Sequence, residues 1–144
     1  MVLFRMNFDP SELVGQSLTL VRNEGASWSF ILSGGDAIFT EEPWRVVTPQ
    51  GILISAMDDR ERFGLPAPID AAEAVTEALQ GESVTNARYD PCTGDLELEI
   101  SGDRKLQFLQ LSSGYESWRL HLHDTEFICL GGGALAEFPR TRTV

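Results

Sequence analysis

The chain has 144 residues, of which 42% are apolar, and its 11 Lys and Arg against 22 Asp and Glu give a net charge of −11 at neutral pH. This length suits one domain that buries enough surface to hold itself together without a metal or disulfide staple. The charge disfavours binding to a phosphate backbone, which needs clustered cations. No apolar run approaches the ~20 residues needed to cross a bilayer.

The start, MVLFRMNFDP, lacks a basic region, an apolar stretch of leader length and a small-residue cleavage site, so no signal peptide is expected. The two cysteines, Cys92 and Cys129, then read as reduced thiols of a cytoplasmic protein, at a spacing that fits no zinc pattern. Asp9-Pro10-Ser11-Glu12 is a helix-start pattern: an Asp N-cap, a proline at the first position and an acid at the third. The turn it opens ends at Gly15. From there the apolar period changes to two. SLTLVR, SWSFIL, AIFT, WRVV and GILIS read as strands, separated by turn residues at 23–25, 33–35 and 49–51.

Residues 56–69, AMDDRERFGLPAPI, are charged and then proline-rich, as in an exposed linker. Residues 70–79 have an Asp70 cap, an acid at Glu73 and apolar positions at Ala71, Ala74, Val75, Ala78 and Leu79, which predicts the chain's one true helix. After Gly81, SVTNARY, GDLELEI, KLQFLQL, SWRLHLH and EFICL read as five more strands. Gly131, Gly132 and Gly133 precede a short proline-broken tail. No helix follows to complete a phosphate cradle, and the glycines are expected to let the chain leave the sheet.

The chain also matches itself. LVGQSLT at 13–19 answers LQGESVT at 79–85, and Arg22 answers Arg88, both at an offset of 66. FILSGG at 30–35 answers LEISGD at 98–103 at an offset of 68, and EPWRVV at 42–47 answers ESWRLH at 116–121 at an offset of 74. One domain over residues 1–144 is therefore expected, built from repeats at 9–55 and 70–133 with a linker at 56–69. The predicted fold is mainly β, α+β by its one helix: two pseudo-symmetric antiparallel meanders of about five strands, packed as a barrel or sandwich.

Few residues offer chemistry. In SWRLHLHD, alternation puts Trp118, Leu120 and Leu122 inward and Arg119, His121 and His123 outward. Two histidines with Glu126 or Asp124 fall short of a convincing metal site, and the aligned first half has Val47 and Pro49 at the histidine positions. Cys129 lies in an apolar strand, where burial makes a thiol inert. The paired Glu42-Pro43-Trp44-Arg45 and Glu116-Ser117-Trp118-Arg119 are the most specific signal, with the tryptophans filling the core. Their polar members could form a two-fold-related site. The unrepeated linker, with Arg60 and Arg62, is a candidate contact region. The candidate binding residues are thus Glu42, Arg45, Arg60, Arg62, Glu116, Arg119, His121 and His123, with no catalytic or metal-ligating set and no cofactor.

The Leu-x-Gly-x-Ser-aliphatic-Thr start, the Trp-Arg-aliphatic strand after a Glu and the closing glycines resemble a bacterial family of small proteins of unknown function, over 13–54 and 79–133. Some small acidic proteins of this type sit beside secreted toxins as immunity proteins, so the resemblance implies a non-enzymatic interaction domain, in particular an inhibitor of a basic partner. A carrier with an apolar pocket between the meanders is a second reading, and a metal-dependent hydrolase using His121 and His123 a third.

Overall fold

A computed structural model describes residues 2–3, 8–41 and 43–140. It is mainly β, with two antiparallel sheets and one helix. The strands are β1 (Val2–Leu3), β2 (Leu18–Glu24), β3 (Ser27–Leu32), β4 (Ala37–Thr40), β5 (Trp44–Thr48) and β6 (Gly51–Ser55). After the helix α1 (Ala71–Leu79) come β7 (Val84–Tyr89), β8 (Leu96–Ile100), β9 (Arg104–Phe108), β10 (Arg119–Leu122), β11 (Thr125–Cys129) and β12 (Leu135–Pro139).

The strand order is β1-β12-β11-β10-β4-β3-β2 in one sheet and β6-β5-β9-β8-β7 in the other, and the two do not close into one barrel. Neither sheet is the five-strand meander of one half. The hairpin β5-β6 crosses from the first half to pair with β9, and β10-β11 crosses back to pair with β4. β4 and β5 do not pair with each other but lie in different sheets, and Pro43 at the entry to β5 cannot donate to a ladder. The connection at 109–118 does the same in the second half.

Corresponding positions keep their sequence offsets in this arrangement. Arg119 pairs with Phe39 and Arg45 with Gln107, so the offsets of 74 and 68 hold across the two crossed pairs. Bulges fall between Leu18 and Leu20 and between Val84 and Asn86. The Thr19 and Thr85 hydroxyls there donate to Ile31 O at 3.1 Å and Glu99 O at 3.2 Å. Ser17 and Ser83 face each other in an isolated antiparallel bridge. Each donates its N–H to a serine hydroxyl at 3.0 Å, Ser33 for one and Ser101 for the other.

Apolar residues from both inner faces form one core. Phe30 of the larger sheet stacks edge-on against Trp44 and Phe108 of the smaller, at centroid distances of 5.3 and 5.0 Å. Trp44, Trp118, Leu98, Leu106 and Leu120 are all buried, because alternation sends every second side chain to that interior. The helix begins as the sequence predicts: the Asp70 carboxylate accepts from the Glu73 N–H at 3.1 Å. Its buried stripe of Ala71, Val75 and Leu79 packs against β2 and β6, the edge strands of the two sheets on that side. The first half has only a 3-10 turn at Pro10–Leu13, which packs on β7 and inserts the buried Leu13.

Two segments depart from expectation. The chain does not leave the sheet after Gly133 but returns as β12, paired with β11 from Thr125 to Cys129. The linker is exposed yet held down: Arg60 N–H donates to Ile69 O at 2.7 Å, and Ile69 N–H donates to Glu61 O at 2.8 Å. Asp59 accepts from the Ala71 N–H at 2.9 Å and the Asn23 amide at 3.2 Å, tying the linker to the helix start and to β2.

Candidate interaction surface

Registers fix what each sheet shows on its outer face. The smaller sheet presents two rungs, Arg88–Glu97–Gln107–Arg45–Ser55 and Asn86–Glu99–Lys105–Val47–Ile52. Several of these polar groups bond to one another, while Ile52 at the edge is exposed. Arg45 Nε donates to Gln107 Oε1 at 2.7 Å, and Gln107 Nε2 donates to Glu97 Oε1 at 2.8 Å. Arg88 is bonded to Glu99, and that bond holds the Glu99 carboxyl below the usual carboxylate range despite some desolvation.

The larger sheet presents Arg22–Ser29–Phe39–Arg119–Ile128–Ala136 and Leu20–Ile31–Ala37–His121–Glu126–Phe138. Leu20 is 41% exposed, and Ile31, Phe39, Ile128 and Phe138 are all partly exposed. His121 lies at the centre. Its Nε2 is 3.1 Å from Glu126 Oε2, and its ring stacks edge-on against Phe39 at 4.8 Å. Arg119 reaches the same carboxylate at 3.8 Å.

The other candidate residues are dispersed. Arg45 is on the smaller sheet and Arg119 on the larger, so the paired motifs do not form one site. Glu42 lies outside the described residues. Arg60 and Arg62 are exposed in the linker, and among the described residues Arg60 has its neighbour Asp59 as a charge partner, at 3.8 Å. His123 is not on a strand face. It occupies the β10–β11 turn with φ +54, a conformation uncommon for a residue with a side chain.

The structure explains that turn through a residue the sequence pattern did not single out. Asp36 is 1% exposed, and its carboxylate accepts from the His123 N–H at 2.8 Å and from Gln16 Nε2 at 2.7 Å. Gln16 Oε1 in turn accepts from the Gly34 N–H at 2.9 Å. These bonds fasten the β3–β4 turn to the β10–β11 turn. The His123 ring completes the tie, with Nε2 2.9 Å from Glu12 Oε1. In SGGDA, Asp36 looks like one more turn residue. The apolar AIF that follows at once was the only available sign of its burial.

The histidines therefore have separate carboxylate partners. Among the described residues no group of three or more His, Cys, Asp and Glu side chains is placed to hold a metal ion. Cys92 and Cys129 are both free thiols. Cys129 is fully buried, and burial pushes its thiol up to about 12, far from the thiolate needed for nucleophilic chemistry. A thiol reagent at about pH 8 is expected to label Cys92 and to leave Cys129 untouched until the protein is denatured. Labelling of Cys129 in the native Cys92→Ser variant would contradict this. The unfolded thiol ionises near 8.5 and the folded one near 12, so alkali favours the unfolded chain and stability should fall as pH rises through that window.

The glycine run packs loops together. A Cβ on Gly131 would lie 2.4 Å from the Gly114 backbone, and one on Gly133 would lie 2.6 Å from Thr93. Tyr89 Oη donates to Gly133 O at 2.5 Å, and Trp118 Nε1 donates to Gly94 O at 2.8 Å, closing the same knot. No phosphate cradle is built there.

Among the described residues, the recess between the sheets beside Leu18, Leu32, Leu79, Val84, Leu98 and Leu106 is about 10 Å³, room for about one water. The larger concavities open to the surface, among them one of about 540 Å³ on the smaller sheet beside Thr85, Glu99, Arg104 and Lys105. One of about 410 Å³ lies on the larger sheet, between the β2–β3 turn and the segments around Glu41 and Glu116. One of about 280 Å³ occupies the corresponding place on the smaller sheet, beside Arg45 and Gln107. No helix among the described residues is long and apolar enough to cross a membrane. No protein-family model matches the chain, and comparisons with curated proteins and with solved structures found no match.

Proposed function

We propose that the protein is a non-enzymatic interaction domain that binds a basic protein through the outer face of its seven-stranded sheet, in the manner of an immunity-type inhibitor acting in the cytoplasm. One observation carries the reading: the two outer faces differ in kind. The smaller sheet's outer face is mainly polar, its apolar residues Val47 and Ile52 lying toward the β6 edge, whereas the larger carries partly exposed Leu20, Ile31, Phe39, Ile128 and Phe138 across most of its strands. An apolar sheet face rimmed by polar groups is the surface type that proteins use for association. Glu24, Glu41 and Glu116 are exposed near one end of it, and the chain's net charge of −11 favours encounter with a cationic partner.

We also infer that this face arose by duplication. Each half is read as a three-strand meander plus a hairpin given to the other half, in a sandwich-like pair of sheets. The bulges 66 residues apart and the self-facing Ser17–Ser83 bridge support that reading. A carrier is disfavoured by the 10 Å³ interior recess, and a hydrolase by the separate partners of His121 and His123.

The test is co-expression with the products of neighbouring genes. A complex with a basic product is expected, its affinity falling about tenfold or more between about 50 and about 300 mM salt. Absence of any such complex, or one indifferent to salt, would contradict the proposal.

A further inference from the structure

The linker between the halves carries strain that the fold does not need. Arg62, Phe63, Gly64 and Leu65 form a β-turn, closed by the Leu65 N–H donating to Arg62 O at 2.7 Å. Both central residues have positive φ, +45 at Phe63 and +81 at Gly64. That conformation favours Asn or Asp before the glycine, and a bulky residue there is a backbone outlier. Arg60, at φ +69, is a second outlier in the same loop. Packing does not repay the strain: Phe63 is 67% exposed, and its neighbours from 60 to 68 are exposed too. The turn is nonetheless held in place. Ile69 bonds to residues 60 and 61 at its base, and Asp59 ties it to Ala71 and Asn23. Pro66 and Pro68 stiffen the limb that follows. A strained, exposed aromatic on a fixed loop is the form of a pre-organised binding anchor.

The charges around the ring are the second observation. Asp58, Asp59 and Asp70 turn their carboxylates to the backbone N–H groups of Ser55, Ala71 and Glu73. Arg60, Glu61 and Arg62 are left exposed about the turn, a local excess of cation in a chain of net charge −11. Arg62 is in no ion pair among the described residues. We propose that residues 60–65 are a docking finger whose Phe63 enters an apolar pocket on a partner protein, with carboxylates at the pocket rim pairing with Arg60 and Arg62. Aromatic and arginine side chains are the types that dominate interface energetics. An extended anionic surface, such as a bilayer or a nucleic acid, would meet the repulsion of the whole chain. Carboxylates at one pocket act on the two arginines within a Debye length of about 8 Å. The finger is on the linker and not on the sheet face, so it stands independently of the reading above.

The test has two parts. Phe63→Asn gives the turn the residue pair it favours, so the melting temperature of the free chain should rise by about 2–4 °C. A fall would show that the ring serves folding and would overturn the proposal. The second part is photolysis, in cells of the protein's source, of the full chain with p-benzoylphenylalanine in place of Phe63. One discrete protein adduct is expected, its cross-linked peptide containing Asp or Glu. Arg60→Glu/Arg62→Glu should weaken that adduct about tenfold or more. The same photoprobe in place of Leu111, exposed on the 109–118 connection, should not form it. No adduct at position 63, adducts alike at both positions, attachment to lipid or nucleic acid, or an adduct indifferent to the arginine reversal would each overturn the assignment.

Discussion

Gly133→Ala should lower the unfolding free energy by about 3 kcal/mol or more, a large share of the stability of a domain of this size. Two costs combine. Gly133 has φ +104, where a Cβ is strained by about 1–2 kcal/mol. The added carbon would also meet Thr93 C and O at 2.6 Å and Gly94 N at 2.8 Å, and these are backbone atoms that cannot rotate away. Forcing that space open costs a further ~1–3 kcal/mol. The neighbours cannot retreat cheaply, since Tyr89 and Trp118 bond into the same two loops. Gly25→Ala is the control. It has φ +68 but open space around its Cβ, and should cost only about 1 kcal/mol. Urea unfolding of both variants decides the matter, and equal losses would show that the loops are not in close contact.

The second large effect separates two tryptophans that the sequence makes equivalent. Trp118 and Trp44 are both essentially buried, at 0% and 1% exposure. Trp118 Nε1 donates to Gly94 O, whereas Trp44 Nε1 has no partner among the described residues. The reason is loop length. The loop carrying Gly94, between Tyr89 and Leu96, is longer than the β2–β3 turn at Gly25 and Ala26, which supplies no such acceptor. Trp118→Phe should therefore cost about 2–3 kcal/mol, from ring volume and a lost buried hydrogen bond. Trp44→Phe also loses volume but removes an unsatisfied donor, so its cost should be about 1–2 kcal/mol lower. Thermal or urea unfolding gives both values. A larger loss for Trp44→Phe would mean that its indole is bonded and Trp118's is not.

Local pattern carried much of this fold. The period-two runs place Trp118, Leu120 and Leu122 inward, and the Asp70 cap and the 3.6 spacing through Leu79 mark the helix. Pairing between distant strands was not legible. Exchanging β5-β6 for β10-β11 leaves every side chain on the same face, so alternation cannot tell the exchanged arrangement from two separate meanders. The signals were in the connections. Pro43 and the long 109–118 segment are poor hairpin turns, although strand-sized runs flank both of them.

The candidate surface divides in the same way. Glu116 and Arg119 were visible through the repeated Glu-x-Trp-Arg and do share a cleft. Their counterpart Arg45 is on the other sheet, a consequence of strand exchange that no local motif encodes. His121 and His123 suggested a pair only because strand alternation was extended one residue too far, into a turn held by Asp36. Leu20, Ile31 and Phe39 carry no distinguishing mark in the sequence, because an outward apolar residue on a strand differs from a core residue only by register.

The most direct test of the account is amide shift mapping of the labelled chain in complex with a basic protein captured by the co-expression test. The account predicts shifts at Leu20, Ser29, Ile31, Phe39, Arg119, His121 and Ile128, on the outer face of the seven-stranded sheet. Shifts concentrated at Arg45, Asn86, Glu97, Glu99, Lys105 and Gln107 would place the partner on the opposite sheet and contradict it.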